Sequence, residues 1–345
     1  MLRQIAESID AARIWHKVTF RRGRILTTEG AAWEAFDSRD HYADPRLFYR
    51  THGRIPEITI ERERPSKLAD VERFTFPSMH RIEGYPYAET NVATGRLYRL
   101  RGNPRAPVAV LSHGWAHDAV RTVEVIYVEP LLKAGFSVAL PAHPFHFERT
   151  PSGTTSGELM VSGDVVLTVE AFRQAVADLC GLVGWLRQAG HGVVGVIGYS
   201  LGGYLAALTA CLRDDLEFVV IGAAGDSVVS PILDTGLGVN VREDLAASGM
   251  HERERLERAW GIISPGRFRP RVPKERVLIV AGVYDRIMLP RSVARLWESW
   301  GRPQIRWENQ GHYSLLAVPG RLVRRSLPFL SRCARLATVP AAEPA

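Results

Sequence analysis

From Pro107 onward the chain alternates short, continuously apolar, β-branched runs with longer helical stretches. APVAVL, FSVAL, VVGVI, FVVIG, VLIVAG and QIRWE are the apolar runs. No other feature limits the fold as strongly. A strand that is apolar along its whole length must be covered on both faces, and parallel strands need a crossover helix to return the chain. This order therefore predicts an α/β fold with a mostly parallel central sheet and helices on both faces. With 345 residues, 46% hydrophobic and 23% charged, the chain has an ordinary globular composition and the length for one large α/β domain plus an extension.

The clearest helix lies at 164–188. Val165, Val169, Phe172, Val176, Leu179, Val183 and Leu186 recur at steps of four and three, which lays them on one stripe. Ser162 and Asp164 are candidate caps, and Gly190 ends the helix. Two regions break the alternation. Residues 1–74 read as an N-terminal arm packed on the body. The arm opens on an amphipathic stretch with Leu2, Ile5, Ile9 and Ala12 on its apolar face, expected to be the docked one; a membrane-surface helix is the alternative. The strand-like RFTF and GRLYRL widen the sheet edge as antiparallel strands. The body is expected over 75–332. The second break is an insertion at about 230–270, between two predicted strands, which reads as a helical lid over the strand ends. Its run HERERLER is the solvated face of a lid helix. The tail, 333–345, is expected to fray.

The formal charge of +7 raises the question of a nucleic-acid partner, but the arginines are scattered and often adjacent to acids, as in ERER at 61–64. A solvated, ion-paired surface is the expectation. Cys180, Cys211 and Cys333 show no CxxC spacing and read as reduced core thiols of a cytoplasmic protein. Neither a signal peptide nor a membrane span is apparent.

Residues 198–203 read GYSLGG. In a chain with 30 glycines a G-x-S-x-G match is weak by itself, so context decides. A serine on a sharp strand-to-helix turn requires residues almost without side chains two before and two after it. Gly198 and Gly202 are those residues, VVGVI is the strand before them, and YLAALTACL the helix after. A serine hydroxyl is a weak nucleophile at neutral pH and needs a base, itself held by an acid. VLIVAG runs into VYDRI and places Asp285 at a strand C-terminus, the edge where sites of open α/β sheets lie. QIRWE runs into NQGHYS and places His312 at the same edge. Asp226, in AAGDS after the preceding strand, competes for the acid's role; Asp285 fits the final strand pair better. The developing oxyanion needs preorganised donors. The backbone N–H of Leu201 is one, and the N–H of Trp115, in the His-Gly-aromatic turn that closes VAVLSHGW, is the other. His113 in that turn reads as a structural hydrogen-bonder.

GYSLGG, the HGW turn, VYD and GH together resemble the α/β-hydrolase superfamily over about residues 75–332. SGELMVSGDVVLTVEAFRQAV and AGVYDRIMLP further resemble its branch of α/β-hydrolase domain-containing protein 18. The resemblance implies the same Ser, Asp and His roles and suggests acyl-lipid or ester substrates. The expected function is a serine hydrolase that cleaves a carboxylic ester or thioester of a small molecule or lipid through an acyl-enzyme. The alternatives are an acyltransferase with the same three residues and a noncatalytic binding module.

AHPFHFE brings His143, His146 and Glu148 close in sequence and invites a metal reading. No second group of ligands completes it, so no metal and no cofactor is expected, and Phe145 and Phe147 are taken as apolar pocket wall.

Overall fold

The computed structural model describes residues 2–19, 25, 32–51, 53–63 and 65–338. Nine strands of these residues form one sheet in the order β1-β2-β3-β5-β4-β6-β7-β8-β9. They are β1 (Thr59–Arg62), β2 (Ala69–Pro77), β3 (Val92–Leu100), β4 (Val108–Ser112), β5 (Ser137–Pro141), β6 (Val194–Tyr199), β7 (Val219–Gly222), β8 (Val277–Gly282) and β9 (Gln304–Glu308). From β5 to β9 every neighbouring pair is parallel. β1, β2 and β3 join through antiparallel ladders, and β3 is antiparallel to β5. All parallel strands therefore end at one rim, after Ser112, Pro141, Tyr199, Gly222, Gly282 and Glu308.

The principal helices are α1 (Leu2–Thr19), α2 (Val165–Gln188), α3 (Leu201–Leu212), α4 (Val229–Leu233), α5 (Val239–Ala247), α6 (Arg253–Ala259), α7 (Pro290–Ser299), α8 (His312–Leu316) and α9 (Arg321–Thr338). Side chains alternate across each strand, and the core divides accordingly. Val108, Val110, Val194 and Val196 pack with α2 and α3 on one face. Ala109, Leu111, Ile197 and Val220 pack with Tyr127, Leu131, Leu322 and Phe329 on the other. Both faces are dry, which is why these strands are apolar throughout.

The helix expected at 164–188 forms over Val165–Gln188, capped by Asp164, whose carboxylate accepts the Leu167 N–H at 3.0 Å. All seven stripe residues are buried, and so is most of the rest of the helix. A second layer covers its outer side: a Cβ on Gly181 would press on Met79 and Pro56.

The boundary expected between residues 74 and 75 falls inside β2, which pairs along its length with β3 and carries β1 on its outer edge. The sheet thus begins at Thr59. The RFTF and GRLYRL pieces do widen the edge as antiparallel strands. Before them, Trp33, Phe48 and Tyr49 are buried. The Tyr49 hydroxyl donates to Ile262 O at 3.0 Å, and Arg258 pairs with Asp37 at 2.8 Å, so this segment packs on the insertion.

The segment between β7 and β8 carries α4, α5 and α6. HERERLER turns its charged residues outward, while Leu256 and Trp260 are buried. The Trp260 indole donates to Val165 O at 3.3 Å, fixing the insertion to α2.

Helix α1 forms where an amphipathic stretch was expected, with the opposite face inward. Leu2, Ile5 and Ile9 are 61%, 51% and 38% exposed, whereas Ala6 and Asp10 are buried. Residues 333–338, expected to fray, continue α9 and bury Cys333; the rest of that tail lies outside the described residues. All three cysteines are buried thiols. Among the described residues no helix is long and apolar enough to cross a membrane.

Candidate active site

Ser200 stands between β6 and α3 with φ 54° and ψ −121°, a left-handed-side backbone conformation that is strained for a residue with a Cβ. The turn is tight enough to explain both flanking glycines. A Cβ on Gly198 would lie 1.9 Å from Gly202 O, and one on Gly202 would lie 2.0 Å from Ser112 O. Any larger residue at either position would push α3 off the ends of β4 and β6.

The structure brings Ser200, Asp285 and His312 together. The Ser200 hydroxyl lies 3.1 Å from His312 Nε2, and His312 Nδ1 lies 2.8 Å from Asp285 Oδ2. The other Asp285 oxygen accepts the N–H groups of Ile287 at 2.8 Å and Met288 at 2.6 Å, which fixes the carboxylate plane. Asp285 and His312 are both buried, while Ser200 is half-buried. Asp226 is elsewhere engaged: it accepts from the Ser292 hydroxyl at 2.5 Å and from Arg295 Nε at 2.6 Å.

Two cavities meet at Ser200. One, of about 40 Å³, is walled by buried apolar groups including Phe172, Leu201, Tyr204, Ile232 and Met288. The other, of about 410 Å³, is bordered by polar groups as well, among them Arg13, His117, Thr122 and Tyr313. Trp115 and Ser200 border both. Trp115 is held in place by its indole N–H, which donates to Gly157 O at 2.6 Å. Leu201 follows Ser200 directly as the first residue of α3, so its amide is at the positive end of the helix dipole.

Behind the 113–116 turn lie three packed imidazoles. His113 and His143 have ring centroids 4.1 Å apart, and His113 and His146 4.9 Å. His143 Nε2 pairs with the Ser112 hydroxyl at 3.0 Å, and the nitrogens of the other two rings hold backbone. His113 Nδ1–H donates to Gly114 O at 2.9 Å, and His113 Nε2 accepts the His143 N–H at 3.2 Å. His146 Nε2 accepts the N–H of Ala116 at 3.1 Å, a residue at φ 54°. Burial drives the His113 pKa down to about 4 and that of His143 well below its ordinary value, so both rings are neutral. Glu148, grouped with them in sequence, pairs with Arg96 at 3.1 Å. No group of three or more His, Cys, Asp or Glu side chains among the described residues is placed to hold a metal ion. Phe145 and Phe147, expected in the pocket wall, border neither cavity. Both have positive φ, which turns them back to pack on Tyr87 at 5.4 Å and His113 at 4.7 Å.

Sequence reasoning missed Asp10. Its carboxylate, with no exposed surface, accepts the N–H groups of His312 at 2.9 Å and Tyr313 at 3.0 Å. Burial raises its pKa and these two amides oppose the rise. No local pattern marks an acid in an amphipathic helix as the docked residue. The pairing of the Tyr199 hydroxyl with His117 Nε2 at 3.0 Å was likewise invisible.

A mostly parallel sheet with helices on both faces, a serine on a strained strand-to-helix turn, and an acid and a histidine after the last two strands define the α/β-hydrolase class. Within it the chain belongs to the family described as alpha/beta hydrolase domain containing 18, whose family model matches residues 59–230. That segment includes Ser200 and ends before Asp285 and His312. The chain is 33% identical over 299 residues to the uncharacterized protein MT2702 of Mycobacterium tuberculosis (strain CDC 1551 / Oshkosh), covering 84% of this chain and 71% of that one. Among solved structures it is similar to acetyl xylan esterase 1 from Thermoanaerobacterium sp. JW/SL YS485, with TM-score 0.61 and 18% identity over 90% of this chain and 96% of that one. It is also similar to the acetyl xylan esterase from Paenibacillus sp. R4, with TM-score 0.61 and 13% identity over 92% and 98%. At these identities the likeness is one of fold.

Proposed function

We propose that this protein is a serine hydrolase that cleaves a carboxylic ester or thioester through an acyl-enzyme. The observation that carries the reading is the continuous hydrogen-bonded chain Ser200–His312–Asp285, at 3.1 and 2.8 Å. Such a chain lets His312 take the serine proton as the hydroxyl attacks, while the buried carboxylate of Asp285 orients the ring and stabilises the imidazolium. The backbone N–H groups of Leu201 and Trp115 serve the tetrahedral oxyanion. His312 then protonates the leaving group, and water activated by the same ring releases the acid. No metal or cofactor enters this sequence.

The cavities support an assignment of substrate parts. About 40 Å³ beside Ser200 is room for roughly three water-sized groups, which fits a short acyl chain against rigid apolar walls. The larger, mixed cavity of about 410 Å³ fits the alcohol or thiol portion. The two fold relatives bear the name of esterases, which agrees with ester chemistry. Three buried free thiols support a reducing, cytoplasmic setting.

A fluorophosphonate probe tests the reading. Wild type is expected to be labelled covalently and to hydrolyse p-nitrophenyl acetate, and Ser200→Ala to lose labelling and about a millionfold in turnover while remaining folded. A folded wild type that takes no label would leave a noncatalytic binding module instead. Ester formation with an added alcohol in place of acid release would make the protein an acyltransferase.

A further inference from the structure

The first amides of a helix have no partner inside it, and α8 begins at the residue that carries the reacting imidazole. His312 and Tyr313 thus present two unanswered N–H groups at the heart of the site. Both are answered from the far end of the sequence, by the two oxygens of the Asp10 carboxylate, at 2.9 and 3.0 Å. A third N–H, that of Arg286, reaches the same carboxylate at 3.4 Å. Arg286 directly follows Asp285. One side chain of α1 therefore touches the backbone of both loops, the one bearing the acid and the one bearing the base. The approach is close: a Cβ on Gly311 would lie 2.6 Å from Asp10 Oδ2, so position 311 admits only glycine without displacing the clamp.

The choice of an aspartate here is a poor one for stability alone. A buried carboxylate must give up its hydration, and Asp285 adds a second carboxylate nearby whose charge opposes it. Helix α1 holds this group inward while Leu2, Ile5 and Ile9 face solvent. A segment that served only to cover the body would dock with its apolar face.

We propose that Asp10 is a positioning residue, which clamps the backbone of the Asp285 and His312 loops from the N-terminal helix and so fixes the imidazole against Ser200. The proposal rests on the hydrolase reading above. Asp10 touches no reacting atom; it acts through the loops, and displacement of a catalytic group by about 1 Å lowers turnover by about 10²-fold.

The test compares full-length wild type, Asp10→Asn and Ile14→Ala. Asparagine keeps the shape but offers a single acceptor oxygen to amides that arrive at two. Ile14, one turn further along α1, is half-buried beside Gly236, so its truncation loosens the docking of the helix while the Asp10 carboxylate stays. The readouts are kcat and KM for p-nitrophenyl acetate, the melting temperature, and the downfield proton resonance of the His312–Asp285 hydrogen bond. Asp10→Asn is expected to lower kcat by about 10²-fold with KM changed by less than about threefold, and to weaken or abolish the resonance. Ile14→Ala, even with an equal fall in melting temperature, is expected to keep both. If Asp10→Asn does not fold, Gly311→Ala takes its place, with the same loss expected while the carboxylate remains. The clamp is overturned by a folded Asp10→Asn with kcat within about twofold of wild type and an unchanged resonance. It is equally overturned if Ile14→Ala reproduces the whole loss. A wild type that takes no fluorophosphonate label would sink the hydrolase reading alone, because the resonance still reports: its loss in Asp10→Asn supports the clamp and its persistence refutes it.

Discussion

The elbow around Ser200, in the middle of the chain, and the N-terminal helix that braces His312 meet at the same site, and they obey different rules. In the elbow every requirement is local. A serine at φ 54° needs glycine two residues away on each side, and a strand before and a helix after, and all of these are contiguous in sequence. In α1 the helix itself is local but its orientation is not. Periodicity marks Leu2, Ile5 and Ile9 as a face, and hydrophobicity argues that this face is buried; instead Asp10 is. The first amides of α8, 302 residues away, have no partner within their own helix, and they decide which side docks. Apolar burial is worth about 25 cal/mol per Å² and is indifferent to position, whereas an unanswered buried N–H costs about 1–3 kcal/mol at one defined point.

The sharpest separation of the two kinds of constraint uses the two acids. Asp285→Asn is expected to lower kcat by about 10⁴-fold, since the imidazole then loses its orienting charge. Asp226→Asn is expected to stay within about twofold, because it breaks a partly exposed pair with Arg295 of a kind worth less than about 1 kcal/mol. Steady-state rates on one short-chain ester decide this, and equal losses in the two variants would return the acid's role to open competition.

A middle-sized effect comes from the imidazoles behind the 113–116 turn. His113 binds a proton below about pH 4 in the folded protein and near its ordinary value of about 6.5 when unfolded. The unfolded chain therefore takes up the proton first as pH falls. Stability that is complete above about pH 6.5 should decline by about 3 kcal/mol as pH drops toward 4. His113→Gln should flatten that part of the profile. Urea midpoints measured at intervals between these values check it, and a His113→Gln slope as steep as wild type would show that the ring is not held neutral.

The smallest effect tests the helix that faces the wrong way. Ile5→Ser and Ile9→Ser are expected to shift unfolding stability by no more than about 0.5 kcal/mol, as exposed substitutions do. A loss several times larger in urea denaturation would mean that the stripe is covered, and that α1 follows the same rule as the elbow after all.

Much of the body was legible from pattern alone. The continuous apolar runs announced a doubly covered parallel sheet because strands dry on both faces cannot alternate polar and apolar residues. Asp285 and His312 could be placed because parallel strands all end at one rim, so a residue just past a strand's end is already near any other such residue. The strand edge was harder. β2 runs to Pro77 through residues that mix charge with apolar side chains, since an antiparallel ladder near a sheet edge can wet one face, and the expected boundary cut it at residue 75. Phe145 and Phe147 were assigned to the pocket by their apolarity, but positive φ at both turns them inward, and nothing in the residue type gives the sign of φ.

The sequence by itself determined the sheet, the elbow and the rim on which three distant side chains converge, because each follows from steric and hydrogen-bonding rules acting over a few neighbouring residues. Only the tertiary structure decided that Asp226 turns to an arginine, that two histidines become neutral struts, and that an aspartate from the first helix answers the amides of the last loop. Those outcomes depend on which donors are left without partners once the chain has folded, and that is a property of the whole packing.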